Sequence, residues 1–222
     1  MTAQEIRTLV DHIAAVLPHD RSHWPSGWPQ EAEAALLDAI FSARATYGTP
    51  TTGVRRVIGN WRTHRDTPLD DLTALAAFVD APDHLSEILD NRQRVPGNYT
   101  TKAEAAALAA AALVETGIRD SGRIRDGRTA RDAILTVPGL GDTTWESFVL
   151  QLSVIGPDAL TQLCRFVSDA LGSAETLTET RALELLAAAA TESGTQPGAL
   201  LNAAWRYQRT QRPTRAPKSL SA

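Results

Sequence analysis

Between Ala130 and Val154 the chain reads as a helix, a tight glycine turn and a second helix, and no other stretch restricts the fold as much. Ala133, Ile134 and Val137 supply an apolar stripe before the turn, and Phe148, Val149 and Leu152 supply one after it. Two short helices can therefore pack against each other across Pro138-Gly139-Leu140-Gly141. Glycines there remove the side chains that would keep an anion away, and amides at the start of a helix attract one. Gly139, Leu140, Gly141 and Thr143 are thus candidate phosphate-binding positions, a grip suited to a nucleic-acid backbone rather than to its bases. Thr143 and Glu146 have capping-box spacing, which predicts that the second helix opens right after the turn. A Pro-Gly-x-Gly run between helices also serves as a plain turn, and both readings stand at this point.

Helical periodicity runs through the rest of the chain, and no alternating strand pattern interrupts it. Ile6, Val10, Ile13 and Leu17 mark a first helix, and residues 19–29 read as a loop. Leu36, Leu37, Ile40 and Phe41 mark a second, and Val54, Val57, Ile58 and Trp61 a third. Leu69, Leu72, Leu75 and Phe78 continue the pattern, followed by a short helix through Leu85, Ile88 and Leu89. Pro96-Gly97-Asn98 is a turn. Helix propensity is very high over 101–114 and 181–191, where alanine dominates. Leu160, Leu163, Phe166 and Val167 mark another helix, and 198–210 the last. The expectation is an all-α chain of about ten helices, with residues 1–210 in a single two-lobed domain and 211–222 a polar, disordered tail. Trp61, Trp145 and Trp205 fit interhelix anchors, and Trp24 and Trp28 fit a loop that covers the core.

One cysteine in 222 residues, Cys164, excludes a disulfide framework and any four-cysteine metal site within the chain. The five histidines lack metal-ligand spacing, so neither metal nor cofactor is expected. Glu5, Arg7, Asp11 and His12 interrupt the first helix and deny it the apolar core of a secretory signal, which makes a cytoplasmic protein the expectation. A net charge of −4 argues against a generally basic nucleic-acid binder. Local arginine clusters can still bind phosphate on one face. They comprise Arg55, Arg56, Arg62 and Arg65; then Arg119, Arg123, Arg125, Arg128 and Arg131, which lead into the glycine turn; then Arg206, Arg209, Arg212, Arg215 and Lys218.

Three further segments join the turn in one resemblance. Phe41-Ser42-Ala43-Arg44-Ala45-Thr46 resembles an L-S-A-Q-A-T segment, Gly97-Asn98-Tyr99-Thr100-Thr101-Lys102-Ala103 resembles G-x-Y-x-x-K-A, and Cys164-Arg165-Phe166-Val167 resembles the end of V-D-T-H-V-x-R-[FL]-[VL]. In this order they are similar to the helix-hairpin-helix DNA glycosylases of the endonuclease III type, here without an iron-sulfur cluster. The resemblance spans roughly residues 33–170. It implies an all-α, two-lobed fold in which the N- and C-terminal helices share one lobe.

The chemistry implied is base excision on double-stranded DNA carrying a damaged or modified base. A nucleotide is flipped out, and an aspartate supports loss of the base and attack of water at C1′. The lysine with which some members form a Schiff base is replaced by Thr143, which implies a monofunctional enzyme. Arg44 stands at the wedge position, where a guanidinium can fill the gap left by the flipped base. The register set by Arg165-Phe166-Val167 puts Leu160 at the catalytic aspartate, and Asp158, two residues earlier, is the acid available. Asp158 also suits a helix N-cap. Trp145 replaces the alanine usual four residues after the second glycine. Two other readings stay open: a binder that kept the fold and lost catalysis, and a helical scaffold whose hairpin is only a turn.

Overall fold

The computed structural model describes residues 2–21, 24–45, 48–124, 127–173 and 177–211. Among these the chain forms eleven α-helices, a short 3-10 turn at Ser121–Arg123 and no strand, only an isolated antiparallel bridge between Arg94 and Thr101. The all-α reading is thereby met. Thr46, Arg125, Arg212, Arg215, Lys218 and the tail from 212 onward lie outside the described residues.

The chain divides into two units, one from Met1–His19 with Leu160–Ala222, the other from Asp20–Ala159. In the first, α1 (Ala3–Val16) opens with a capping box in which Thr2 and Glu5 satisfy each other's backbone amides. Leu9 and Ile13 are its buried positions, and it packs on α10 (Glu179–Glu192), which packs on α11 (Pro197–Thr210). Arg181 of α10 bonds Glu5 at 2.5 Å. Phe166, on α9 (Pro157–Leu171), meets the ring of His12 edge-on at 5.2 Å and that of Tyr207 at 5.9 Å. Trp205 is buried beneath the Arg209 guanidinium, 4.6 Å from its ring centroid.

The second unit is built around α2 (Ala32–Phe41), all ten residues of which are buried. It packs on α3 (Gly53–Arg65), α6 (Lys102–Glu115) and α8 (Asp142–Gln151), and α6 also packs on α4 (Thr73–Ala76), α5 (Pro82–Ile88) and α7 (Gly127–Leu135). Alanine explains the crowding around α6. Ala103, Ala105, Ala106, Ala107, Ala109 and Ala110 are all fully buried, and their small side chains let neighbouring helix axes come close.

Helix α2 carries two acids into this core. Glu33 accepts from Trp61 Nε1 at 2.7 Å, from Arg65 Nε at 3.1 Å and from the Asp71 amide at 2.9 Å. Asp38 accepts from Trp28 Nε1 at 2.9 Å, Ser42 Oγ at 2.8 Å and Gln151 Nε2 at 3.3 Å. Buried carboxylates persist only when paired and hydrogen-bonded in this way. Trp61 is wholly buried and Trp24 nearly so, as the sequence suggests. The pattern from Leu69 to Phe78 resolves differently, since only Thr73–Ala76 is α-helical. The Leu72 amide donates to Arg119 O at 2.8 Å, and Asp70 accepts from the Ala32 and Ser121 amides, each at 2.9 Å. Leu69, Leu72 and Leu75 are buried as their spacing implies, but this backbone is tied to other segments.

Replacing Glu33 with alanine would strand the Arg65 guanidinium and two N–H donors. The expected loss is about 3–5 kcal/mol of unfolding free energy, measured by urea titration followed by circular dichroism. A loss below about 1 kcal/mol, the range of an exposed ion pair, would show that Glu33 does not anchor α2.

Candidate nucleic-acid interface and acidic cleft

The glycine turn between α7 and α8 is fixed by contact as well as by conformation. Gly139 has φ +87°, a left-handed region that favours glycine, and a Cβ added there would come within 2.6 Å of Val95 Cγ1 and 3.2 Å of Asn98 Cβ. No other residue fits without moving the Pro96–Asn98 turn. Gly141 is the N-cap of α8 and has open space where a side chain would be. Its carbonyl accepts from Thr144 and Trp145, and the Leu140 amide closes the turn on Val137 O at 3.1 Å. The amides of Gly139 and Gly141 donate to no protein group among the described residues. Thr143 lies exposed in the first turn of α8.

Two expectations are corrected here. Gly141 occupies the cap position and no side chain caps α8, so the Thr143–Glu146 capping box does not form. Glu146 is buried instead, and its Oε2 accepts the Ala159 amide at 3.2 Å, at the start of α9. Helix α9 begins at Pro157, which places Asp158 inside the first turn rather than at the N-cap. The spacing is the same for a box and for this arrangement, so the sequence holds no signal that separates them.

The segment 91–102 runs from the hairpin to the turn that follows α2. At one end Val95 and Asn98 pack on Gly139, and Tyr99 stands 88% exposed with the Arg94 guanidinium 5.8 Å from its ring centroid. At the other end Lys102, only 2% exposed, donates through Nζ to Phe41 O at 3.0 Å, Ala43 O at 2.9 Å and Gln93 Oε1 at 3.1 Å. Burial lowers the Lys102 pKa, and these oxygens offset the desolvation of its ammonium. Lys102 thereby holds the carbonyls just before Arg44. Arg44 is exposed with φ +52°, a left-handed conformation that non-glycine residues adopt at a cost of about 1–3 kcal/mol, as Gln30, Asp66, Asp90 and Ser153 also do here. It borders a cavity of roughly 440 Å³ with Gln93 and Thr52.

Asp158 lines a different and larger cleft of roughly 1430 Å³ in the same unit. Its walls include Trp145, Glu146 and Val149 of α8, Arg128 and Arg131 of α7, and Asp142 at the α8 start. Arg44 and Asp158 therefore line separate cavities. Leu160 is half-buried and does not line the cleft. Arg131 pairs with Asp142 at 2.5 Å and with Asp132 at 3.3 Å, and Arg123 lies 3.7 Å from Asp120, so part of the arginine cluster before the hairpin is already neutralised by acids. Burial pushes the Glu146 carboxyl up, reinforced by repulsion from Asp158 and Asp142 and opposed by the Ala159 and Asp158 amides. The described residues contain no group of side chains able to hold a metal ion and no helix long and apolar enough to cross a membrane.

The chain belongs to the family described as a domain of unknown function, DUF8548, which matches residues 7–209. No curated protein and no solved structure matches it at a significant level.

The raised Glu146 pKa sets a pH dependence. An acid whose folded pKa lies above its unfolded value of about 4.3 stabilises the fold at low pH and loses that contribution as pH rises through the folded value. Glu146→Gln keeps a carbonyl acceptor for the α9 amides and removes the desolvated charge. The melting temperature of the variant relative to the parent should therefore be higher at pH 8 than at pH 4. The opposite trend would show that the charged carboxylate is the stabilising form.

Proposed function

We propose that this protein binds double-stranded DNA through its glycine hairpin and acts on a displaced base as a monofunctional, helix-hairpin-helix glycosylase-type enzyme. The observation that carries the reading is the Gly139–Gly141 turn before α8, held close against Val95 and Asn98, with the Gly139 and Gly141 amides used by no protein group among the described residues. Such amides suit a phosphate. Arg94, Tyr99 and Arg44 extend this surface through the strap that Lys102 ties down. Phosphate contacts fall on the hairpin and strap, because the cleft beyond Asp142 is acidic. The displaced base enters the cleft, where Asp158 faces the sugar. As the C1′–N bond breaks, the electron pair leaves with the base, the carboxylate stabilises the cationic sugar, and water adds at C1′, its proton passing through solvent to the departed base. Thr143 offers no amine, so the strand stays intact.

A second reading, a DNA binder without catalysis, is favoured by Leu160 at the aspartate register and by the exposure of Asp158. The two differ in product. Duplexes carrying uracil, hypoxanthine, 8-oxoguanine or an alkylated base are incubated with the protein and then cleaved with hot alkali to reveal abasic sites. The enzyme reading expects product from at least one, abolished by Asp158→Asn with binding retained. Absence of product from every lesion, with binding intact, would leave the binder.

Binding itself is tested by fluorescence anisotropy on duplex DNA. Affinity should fall as salt rises, because each phosphate contact releases counterions. Gly141→Asp should weaken it, and Asp142→Asn should strengthen it by about threefold to tenfold, since a carboxylate at a helix start competes with phosphate for the same amides. Indifference to salt and to both substitutions would remove DNA as the partner.

A further inference from the structure

We infer that the cleft between α7, α8 and the start of α9 is a binding site for a flat heteroaromatic cation that also carries a hydrogen-bond acceptor. Three observations converge on it. The cleft has room for such a ring, and Trp145 and Val149 give it an aromatic and apolar wall. Trp145 lines the cleft and is only 5% exposed, and its indole N–H has no acceptor among the described residues. Five carboxyl groups border the space against two arginines. Arg131 is held by Asp142 and Asp132, and Glu146 meets backbone amides at the α9 start, with Asp158 and Asp142 repelling it.

Each wall group selects part of the ligand. A positive ring relieves the repulsion among Glu146, Asp158 and Asp142, and a tryptophan face attracts a cation more strongly than a neutral ring. The Trp145 N–H donates to a carbonyl or ring nitrogen. A phosphate or carboxylate ligand is disfavoured by the same acids. This chemistry has two sources: a free small-molecule cation, or a base made cationic by alkylation and displaced from DNA. The second source rests on the proposed function, whereas the cleft chemistry does not.

Isothermal titration calorimetry with the N-methylnicotinamide ring cation and with neutral nicotinamide isolates the charge. The cation should bind at least about tenfold more tightly, and Asp158→Asn, an exposed position that tolerates asparagine, should reduce cation affinity and leave nicotinamide unchanged. Equal affinities, or no heat from the cation at millimolar concentration, would overturn the inference. The source is read by anisotropy on a duplex with one N7-methylguanine against the same duplex with guanine. Tighter binding of the methylated duplex, competed by the free cation, assigns the site to a DNA base. Cation binding with no preference between duplexes assigns it to a free molecule, and cation binding with no DNA binding at all upholds the site while removing the proposed function.

Discussion

Burying a whole helix with two acids on it commits the surrounding chain to supply their partners, and α2 does this in the larger unit. Its alanines and leucines make it a core element, but Glu33 and Asp38 could not remain there without the donors that reach them from Trp61, Arg65, Asp71, Trp28, Ser42 and Gln151. Those donors come from α3, from the α3–α4 connection, from α8 and from the loops flanking α2, so the hydrogen bonds fix which elements lie against which faces. Apolar packing alone would tolerate sliding of alanine-rich helices past one another. Fixed polar partners in a low-dielectric core do not, because any slip leaves a buried group unpaired.

Lys102 extends the same logic to the surface. Its ammonium reaches the carbonyls of Phe41 and Ala43 at the end of α2, and the strap it belongs to packs on Gly139. The Arg44 turn and the hairpin, 95 residues apart in the chain, are thus both attached to the 91–102 segment. For the proposed DNA contact, such fixed spacing would count for more than high net charge. A local arrangement of arginine and backbone amides can bind phosphate even on a chain whose net charge is negative.

The cleft has the opposite character. Asp158 and Asp142 add to the cost of ionising the buried Glu146, and Asp142 also pairs with Arg131. The proposed anion site on the hairpin and the proposed cation site in the cleft would draw on different groups, backbone amides at Gly139 and Gly141 for one and the carboxyls beside Trp145 for the other. A DNA backbone on one side and a displaced or free cationic ring on the other would each meet complementary charge.

Sequence alone carried the helical class, because apolar spacing and alanine content are local properties and each helix expresses them without help. It also located the turn between α7 and α8, since Pro-Gly-x-Gly between two apolar stripes interrupts a helix. Local spacing misled wherever one backbone or side chain had two possible partners. Thr143 and Glu146 have the spacing of a capping box, but α9 offers Glu146 amides from thirteen residues away and takes it. The leucines from Leu69 to Leu75 have the spacing of a long helix, but Asp70 and Leu72 are drawn to Ala32, Ser121 and Arg119. Trp145 reads as a core anchor and is one, while its cleft-lining edge emerges only when α7, α8 and the α9 start are assembled. Secondary structure answers to neighbours three or four residues away, so it is written in the sequence. Which acid meets which amide is a competition among distant groups, and only the tertiary structure decides it.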